Sequence, residues 1–276
     1  MAKVTVKQIA DRKQERLPVT MLTAYDAPFA ALIDQAGIDV VLVGDSLGMV
    51  LLGLDSTVPV TMDEMIHHAK AASRGVTQAL LVGDMPFLSY QISPREAIRN
   101  AGRFLKEASC DAVKLEGGAD ICPTVAALVK AGIPVMGHIG LTPQTVSQLG
   151  GYRVQGRELA SARTLLEAAR ALEEAGAFSL VLECIPDELA RGITESVNIV
   201  TIGIGAGPHC DGQVLVTHDL LGMFPRKTPR FVKQYTSLAP QIATALDAFK
   251  KEVQEKKFPA AEHTFFATAE LRQLFT

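Results

Sequence analysis

The sequence predicts an α/β protein, a closed (β/α)8 TIM barrel with an N-terminal capping helix and a C-terminal helical extension. Three observations predict it. Eight short apolar runs bounded by Gly and Pro recur along the chain, which is how strands read when helices cover both faces of a parallel sheet. Segments with apolar residues at helical spacing alternate with those runs. The length, 276 residues, matches one such barrel, so residues 1–276 are read as a single domain. A doubly wound open sheet, the competing fold, has fewer consecutive strands and a switch point in strand order.

Taken in order, residues 1–17 read as a short helix positioned to plug the bottom of the barrel. The strand runs are PVTMLTAYD (18–26), DVVLVGDS (39–46), ALLVGDMP (79–86), DAVKLEGG (111–118), IPVMGHIG (133–140), SLVLECIP (179–186), NIVTIGIGAG (198–207) and QVLV (213–216). The helical segments PFAALIDQAG, PTVAALVKAG and SARTLLEAARALEEAG all end in Gly, the usual C-terminal stop. A further helix follows Ser93-Pro94-Arg-Glu96 and another follows Thr61-Met-Asp-Glu64, both read as capping boxes. Residues 229–258 read as a longer helix outside the barrel.

Composition excludes several classes of function. The net charge of −3 has no strong sign and no basic stripe is interleaved with aromatics, so the footprint of nucleic-acid binding is missing. No apolar run is long enough to span a bilayer, and the opening MAKVTVKQIADRKQ lacks the apolar core of a signal peptide. The expectation is a cytoplasmic protein that acts on small molecules. Cys110, Cys122, Cys184 and Cys210 show no C-x-x-C spacing and read as reduced thiols without a metal.

Barrel enzymes build their sites at the C-terminal ends of strands. Here those ends are polar: Tyr25, Asp26, Asp45, Ser46, Asp84, Lys114, Glu116, His138 and Glu183. An Asp after a strand ordinarily caps the next helix, but after Asp45 and Asp84 the caps are already supplied by Thr61 and Ser93. Both aspartates follow the same Leu-Val-Gly, and two carboxylates aimed at one axis repel unless a cation joins them. Alternation along a strand puts Lys114 and Glu116 on one face, opposite Val113 and Leu115. The two charges either pair with each other or are kept for use, because burying charge costs several kcal/mol per ion. Asp45, Asp84 and Glu116 together make an all-oxygen set suited to Mg²⁺, with Lys114 facing an anionic substrate.

Glu183 interrupts an apolar run, where a carboxylate is either hydrogen-bonded for structural reasons or serves as a proton acceptor. His138 is held as a substrate-contacting candidate, while His67 and His68 read as surface or packing residues. The segment GIGAGPHCDG (203–212) departs from the G-x-G-x-x-G dinucleotide fingerprint; its glycines let the backbone approach a substrate or a packed neighbour. Arg153, in GGYRVQGRE, belongs either to a glycine-rich lid or to solvated surface.

In register, VVLVGDSLGMVLLGLDSTVPVTMDEM, LLVGDMPFLSY, AVKLEGG, PVMGHIGLTPQ, GGYRVQGRE, FSLVLECIP and TIGIGAGPHCDGQVLV resemble the ketopantoate hydroxymethyltransferase family over nearly the whole chain. The resemblance implies Mg²⁺ held at Asp45, Asp84 and Glu116. It also implies an oxo acid contacting Ser46 and Lys114 as well, and Glu183 as proton acceptor. It further implies 5,10-methylenetetrahydrofolate as co-substrate, a cytoplasmic homodecamer, and a place in pantothenate and hence coenzyme A synthesis. Val200 is a small departure, at a position where similar sequences often carry proline. Three alternatives stand beside this. One is a Mg²⁺-dependent 2-oxo-acid lyase of the isocitrate lyase and phosphoenolpyruvate mutase type, whose usual catalytic cysteine in a mobile loop has no counterpart here. The others are a Schiff base on Lys114 and a non-catalytic oxo-acid-binding barrel.

Overall fold

A computed structural model describes residues 3–148, 150–224 and 228–275. Its contacts divide the chain into two compact units, Met1–Thr217 with Pro229–Val232, and His218–Thr228 with Lys233–Thr276. In the first unit α1 (Val6–Glu15) leads into β1 (Val19–Thr23), α2 (Ala27–Gln35), β2 (Val40–Val43), α3 (Leu47–Val50), α4 (Met62–Ser73), β3 (Leu80–Asp84) and α5 (Pro94–Ala108). There follow β4 (Ala112–Glu116), α6 (Cys122–Lys130), β5 (Val135–Gly140), α7 (Leu159–Glu174), β6 (Ser179–Glu183), α8 (Asp187–Ser196), β7 (Val200–Ile204) and β8 (Gly212–Leu215). The strands are parallel and close on themselves in sequence order, β8 pairing with β1 through Val19↔Gly212 and Met21↔Val214. This is the predicted barrel.

The strand period of two decides what fills it. Val19 and Met21, Val40 and Leu42, Leu80 and Val82, Ala112, Met136, Val181, Val200 and Ile202, and Val214 form one buried cluster together with Ile9 of α1. Two residues further along the same rows, towards the C-terminal end, come Asp84, Lys114, His138 and Glu183. The barrel is therefore apolar through its depth and charged only at its mouth.

The opposite face is closed by the helix predicted to plug it. Three aspartates, each just before a strand, accept a backbone N–H from the neighbouring strand: Asp39 from Thr20 at 2.8 Å, Asp111 from Leu81 at 2.8 Å and Asp211 from Thr201 at 2.8 Å. Arg12, Lys3 and Lys13 pair with these three in turn, so the N-terminal segment clamps the bottom of the barrel while Ile9 enters its core. Among the described residues no helix is long and apolar enough to cross a membrane.

Local signals are mostly as read. Thr61 and Glu64 form a reciprocal capping box, and Gly37, Gly132 and Gly176 follow their helices at positive φ. Ser93 caps Glu96 N–H at 3.2 Å, but the reciprocal arm from Glu96 does not form. The short α3 begins directly after Asp45 and Ser46, which the sequence reading left without a helix; neither side chain caps it. After β8 come α9 (Thr217–Leu220), α10 (Leu238–Gln254) and α11 (Ala269–Arg272). The helix expected over 229–258 is thus shorter. Residues 229–237 instead make turns, with Tyr235 N–H bonded to Leu220 O at 2.9 Å, and Phe258 stacks edge-on against Phe249 of α10 at 5.6 Å.

Candidate active site

The parallel register brings the polar strand ends to one level. Asp84 aligns with Lys114, Glu116 with His138, and Gly140 with Glu183. Gly140 is required there: at φ +98° a Cβ would lie 2.2 Å from the Glu183 carbonyl oxygen. Gly83, in the second Leu-Val-Gly-Asp, is required for another reason, since a Cβ would meet Phe104 Cδ1 of α5 at 2.3 Å. The glycine lets α5 pack against the strand that carries Asp84.

Asp45, Asp84, Lys114, Glu116 and His138 are all buried, and they form a single network. Lys114 Nζ lies 2.9 Å from Asp84 Oδ1, 4.0 Å from Glu116 Oε1 and 3.2 Å from His138 Nδ1. Asp84, across the strand pair, is thus its nearer partner, rather than Glu116 on its own strand. Asp84 Oδ2 accepts the Asp45 backbone N–H at 3.2 Å. His138 bridges two acids, with Nδ1 3.4 Å from Glu116 Oε1 and Nε2 3.1 Å from Glu183 Oε2. Glu183 is less enclosed than its apolar run implied, its side chain 16% exposed; this opens it to a substrate at the mouth. Ser46 is half-buried, with its hydroxyl 2.9 Å from Tyr25 OH. Asp26 turns away and caps α2 at Phe29 N–H.

Two side chains that sequence reasoning missed organise this cluster. Gln144 Nε2 donates to Asp45 Oδ2 and to Met85 O, both at 2.9 Å, and its backbone N–H donates to Glu116 Oε2 at 3.0 Å. Tyr90 OH donates to Gln144 Oε1 at 2.7 Å and accepts Glu116 N–H at 3.1 Å. Both residues are buried, Tyr90 in a loop and Gln144 in a single 310 turn, and their partners lie far away in the chain. Their polarity in GLTPQ and FLSYQ carried no signal of it.

The electrostatics show a shortage of positive charge. Burial, then the charges of Asp84 and Glu116, push the Asp45 carboxyl well above its ordinary range despite Lys114 and Gln144. Burial also raises Asp84, against the pull of Lys114. Burial opposes ionisation of Glu116 too, but His138, Lys114 and the Gln144 N–H outweigh it and hold that carboxyl low. Lys114 stays firmly protonated because Asp84, Glu116 and Asp45 overcome its own desolvation. Burial and Lys114 disfavour a charged imidazole, yet Glu116 and Glu183 prevail and push His138 up to about 9.

Asp84 Oδ1 is buried and has no aligned hydrogen-bond donor, and Asp45 is ionised only at a cost. These acids fit a hard divalent cation among oxygen ligands. Among the described residues no group of three or more His, Cys, Asp or Glu side chains is placed to hold a metal ion by itself; an ion bound by fewer carboxylates takes its remaining ligands from water or substrate oxygens.

The remaining sequence candidates are accounted for by packing. Gly205 and Gly207 of the 203–212 segment, both at positive φ, lie against Phe231 with Cys184 and against Asp187, which is the packed-neighbour role. His68 Nδ1 is 2.8 Å from Tyr25 O, and His67 is exposed. Arg153 is exposed on the segment after the 310 turn Pro143–Thr145, next to Tyr152, whose hydroxyl touches Met49 Sδ at 3.6 Å.

A closed (β/α)8 barrel with a charged, buried cluster at its C-terminal mouth defines the class: a TIM-barrel enzyme. A family model described as "Ketopantoate hydroxymethyltransferase" matches residues 3–261. Proteins named 3-methyl-2-oxobutanoate hydroxymethyltransferase are similar along almost their full length. That of Moorella thermoacetica is 59% identical, covering 96% of this chain and 98% of its own. That of Syntrophomonas wolfei is 58% identical, with 96% of each chain covered. The chain belongs to the ketopantoate hydroxymethyltransferase family, and it is an enzyme. Among solved structures, a phosphoenolpyruvate phosphomutase from Streptomyces platensis is similar in fold, with a TM-score of 0.62 and 14% identity over 98% of this chain and 94% of that one. A 2,3-dimethylmalate lyase described as a PEP mutase/isocitrate lyase superfamily member has a TM-score of 0.58 and 16% identity over 96% and 93%. At those identities the likeness is one of architecture.

Proposed function

We propose that the enzyme transfers a hydroxymethyl unit from 5,10-methylenetetrahydrofolate to 3-methyl-2-oxobutanoate, giving ketopantoate on the way to pantothenate and coenzyme A. The observation that carries this reading is the placement of Glu183. Only slightly exposed at the mouth and 3.1 Å from His138 Nε2, it stands beside a buried cluster short of positive charge.

Asp45, Asp84 and Glu116 would hold Mg²⁺, which when bound supplies Lewis-acid stabilisation of charge on the oxygens of the 2-oxo acid, of the order of several kcal/mol. Lys114 and Ser46 contact the same anion. Lys114, kept protonated by Asp84, Glu116 and Asp45, screens its carboxylate. Glu183 takes the proton from C3, a positioned base contributing roughly 10²–10⁴-fold. His138 holds the Glu183 carboxylate in place from the Nε2 side. C3 of the resulting enolate bonds to the donor's methylene carbon, and water supplies the new hydroxyl as tetrahydrofolate leaves. The same reading makes the enzyme a cytosolic homodecamer acting on small molecules, without nucleic acid or membrane as partner.

A protonated lysine is a poor nucleophile, so the charge on Lys114 disfavours the Schiff-base alternative. The test is an assay with both substrates, titrated with Mg²⁺ and scored for ketopantoate. Metal-dependent ketopantoate formation is expected. Activity that survives EDTA while borohydride traps substrate on Lys114 would overturn the metal reading, and absence of ketopantoate at every metal concentration would overturn the function.

A further inference from the structure

A cleft of about 400 Å³ opens beside the mouth, lined among others by Arg153, Gln155, Gly156, Arg157 and Glu158. We propose that it receives the glutamate carboxylates of the folate donor; this rests on the function proposed above and assigns the donor's anionic tail to a place outside the barrel.

Three observations converge on it. First, Arg153 and Arg157 are exposed, and neither appears in an ion pair among the described residues, where seven other lysines and arginines of the same unit hold a carboxylate within 4.0 Å. Among the described residues, Glu158 is the one acid lining the cleft. Two arginines and one glutamate along the cleft, in a protein of net charge −3, make a local surplus of bidentate carboxylate-binding groups.

Second, the cleft is joined to the reaction site. Gln155 N–H donates to Cys184 O at 2.8 Å, and Cys184 is the residue after Glu183. On the other side of Arg153, Tyr152 is close enough to the mouth that burial and then the charges of Glu183, Asp45 and Glu116 raise its phenol pKa. One short segment, 152–157, thus carries both arginines and is bonded to the residue that follows the base. Its course is held by Gly156 at φ +70°, where a Cβ would lie 2.4 Å from Leu189 Cδ2.

Third, the charges divide the donor between the two places. The mouth is acid-rich and repels an anionic tail, whereas the donor's one-carbon unit must enter it. A tail bound on Arg153 and Arg157 leaves the pterin end free to reach Glu183. The cleft's volume is within the range of small-ligand sites.

The test compares donors carrying no glutamate, one, and three or more, in the wild type and in the Arg153→Gln/Arg157→Gln double variant. The wild type should show a donor KM that falls as glutamates are added. The double variant should raise the KM of the polyglutamyl donor about three- to tenfold, as expected for exposed arginine–carboxylate pairs, and lose the dependence on tail length while keeping the KM of the oxo acid. A wild type indifferent to tail length, or a double variant with unchanged donor KM and unchanged thermal midpoint, overturns the tail subsite while leaving the proposed reaction standing. No turnover with any folate donor takes both readings down.

Discussion

Replacing Gln144 with leucine keeps most of its volume and removes three buried hydrogen bonds, those to Asp45 Oδ2, Met85 O and Tyr90 OH. Tyr90 OH retains a partner, because it also reaches Glu116 O at 2.9 Å. The backbone bond from residue 144 to Glu116 is independent of the side chain. Two acceptors are therefore stranded, one a carbonyl and one a carboxylate. At about 1–3 kcal/mol for each buried unsatisfied group, less about 1 kcal/mol recovered by burying the apolar leucine, the variant should lose about 1–5 kcal/mol of stability. A second effect is specific to the site. Gln144 lowers the proton affinity of Asp45, a carboxyl already pushed up by burial and by Asp84. Without it Asp45 binds protons better and cations worse, and loss of a partner behind a ligand typically weakens metal affinity about 10–100-fold. Urea unfolding measures the first effect, and calorimetric titration with Mg²⁺ or Mn²⁺ measures the second. Reduced stability with unchanged metal affinity would refute the link from Gln144 to the carboxylates, and wild-type stability would refute the network itself.

Glu183→Gln should retain oxo-acid and metal binding but lose exchange of the C3 hydrogen with D₂O by NMR; undiminished exchange means another group is the base. Gly83→Ala should cost about 1–3 kcal/mol or more from the overlap with Phe104, and Phe104→Leu in the same chain should restore part of it, as read by thermal melts; a Gly83→Ala protein as stable as wild type would contradict the packing. The buried Asp34 carboxylate accepts N–H groups of Thr77, Gln78 and Ala79 and the Thr77 hydroxyl. These outweigh its desolvation and hold its pKa below the ordinary 3.8. A depressed folded pKa stabilises above the unfolded value and ceases to do so as pH falls through the folded one. Asp34→Ala should therefore be markedly less stable than wild type at neutral pH, with the gap closing below about pH 4; a gap independent of pH would be evidence against it. Burial pushes Cys110 and Cys184 up to about 12 and Cys210 up to about 11, so iodoacetamide at pH 7.5 should label these thiols slowly by mass spectrometry and leave activity intact; rapid loss of activity would contradict it.

The sequence by itself determined the strands and most of the helices, because apolar runs, capping residues and terminal glycines act over a few residues. It also determined that Lys114 and Glu116 share a face, since strand alternation is local, and that Asp45 and Asp84 stand at equivalent strand ends. Local rules failed where two choices were close in energy. The single turn of α3 after Ser46 has no side-chain cap to announce it, and residues 229–237 carry helix-compatible residues that bond as turns instead.

Tertiary structure decided the rest. Lys114 could have paired with Glu116 on its own strand; closure of the barrel set Asp84 beside it and gave it a nearer partner. His138 became the bridge between Glu116 and Glu183 only because β4, β5 and β6 are in that register. Tyr90 and Gln144 were indistinguishable from any polar loop residues until the fold carried them, across 26, 54 and 99 positions of chain, to the backbone of Glu116, to each other and to Asp45. Hydrogen bonds reach about 3 Å, so a residue's chemistry is readable from its neighbours in sequence only when those are also its neighbours in space, and at the mouth of a barrel they come from different strands.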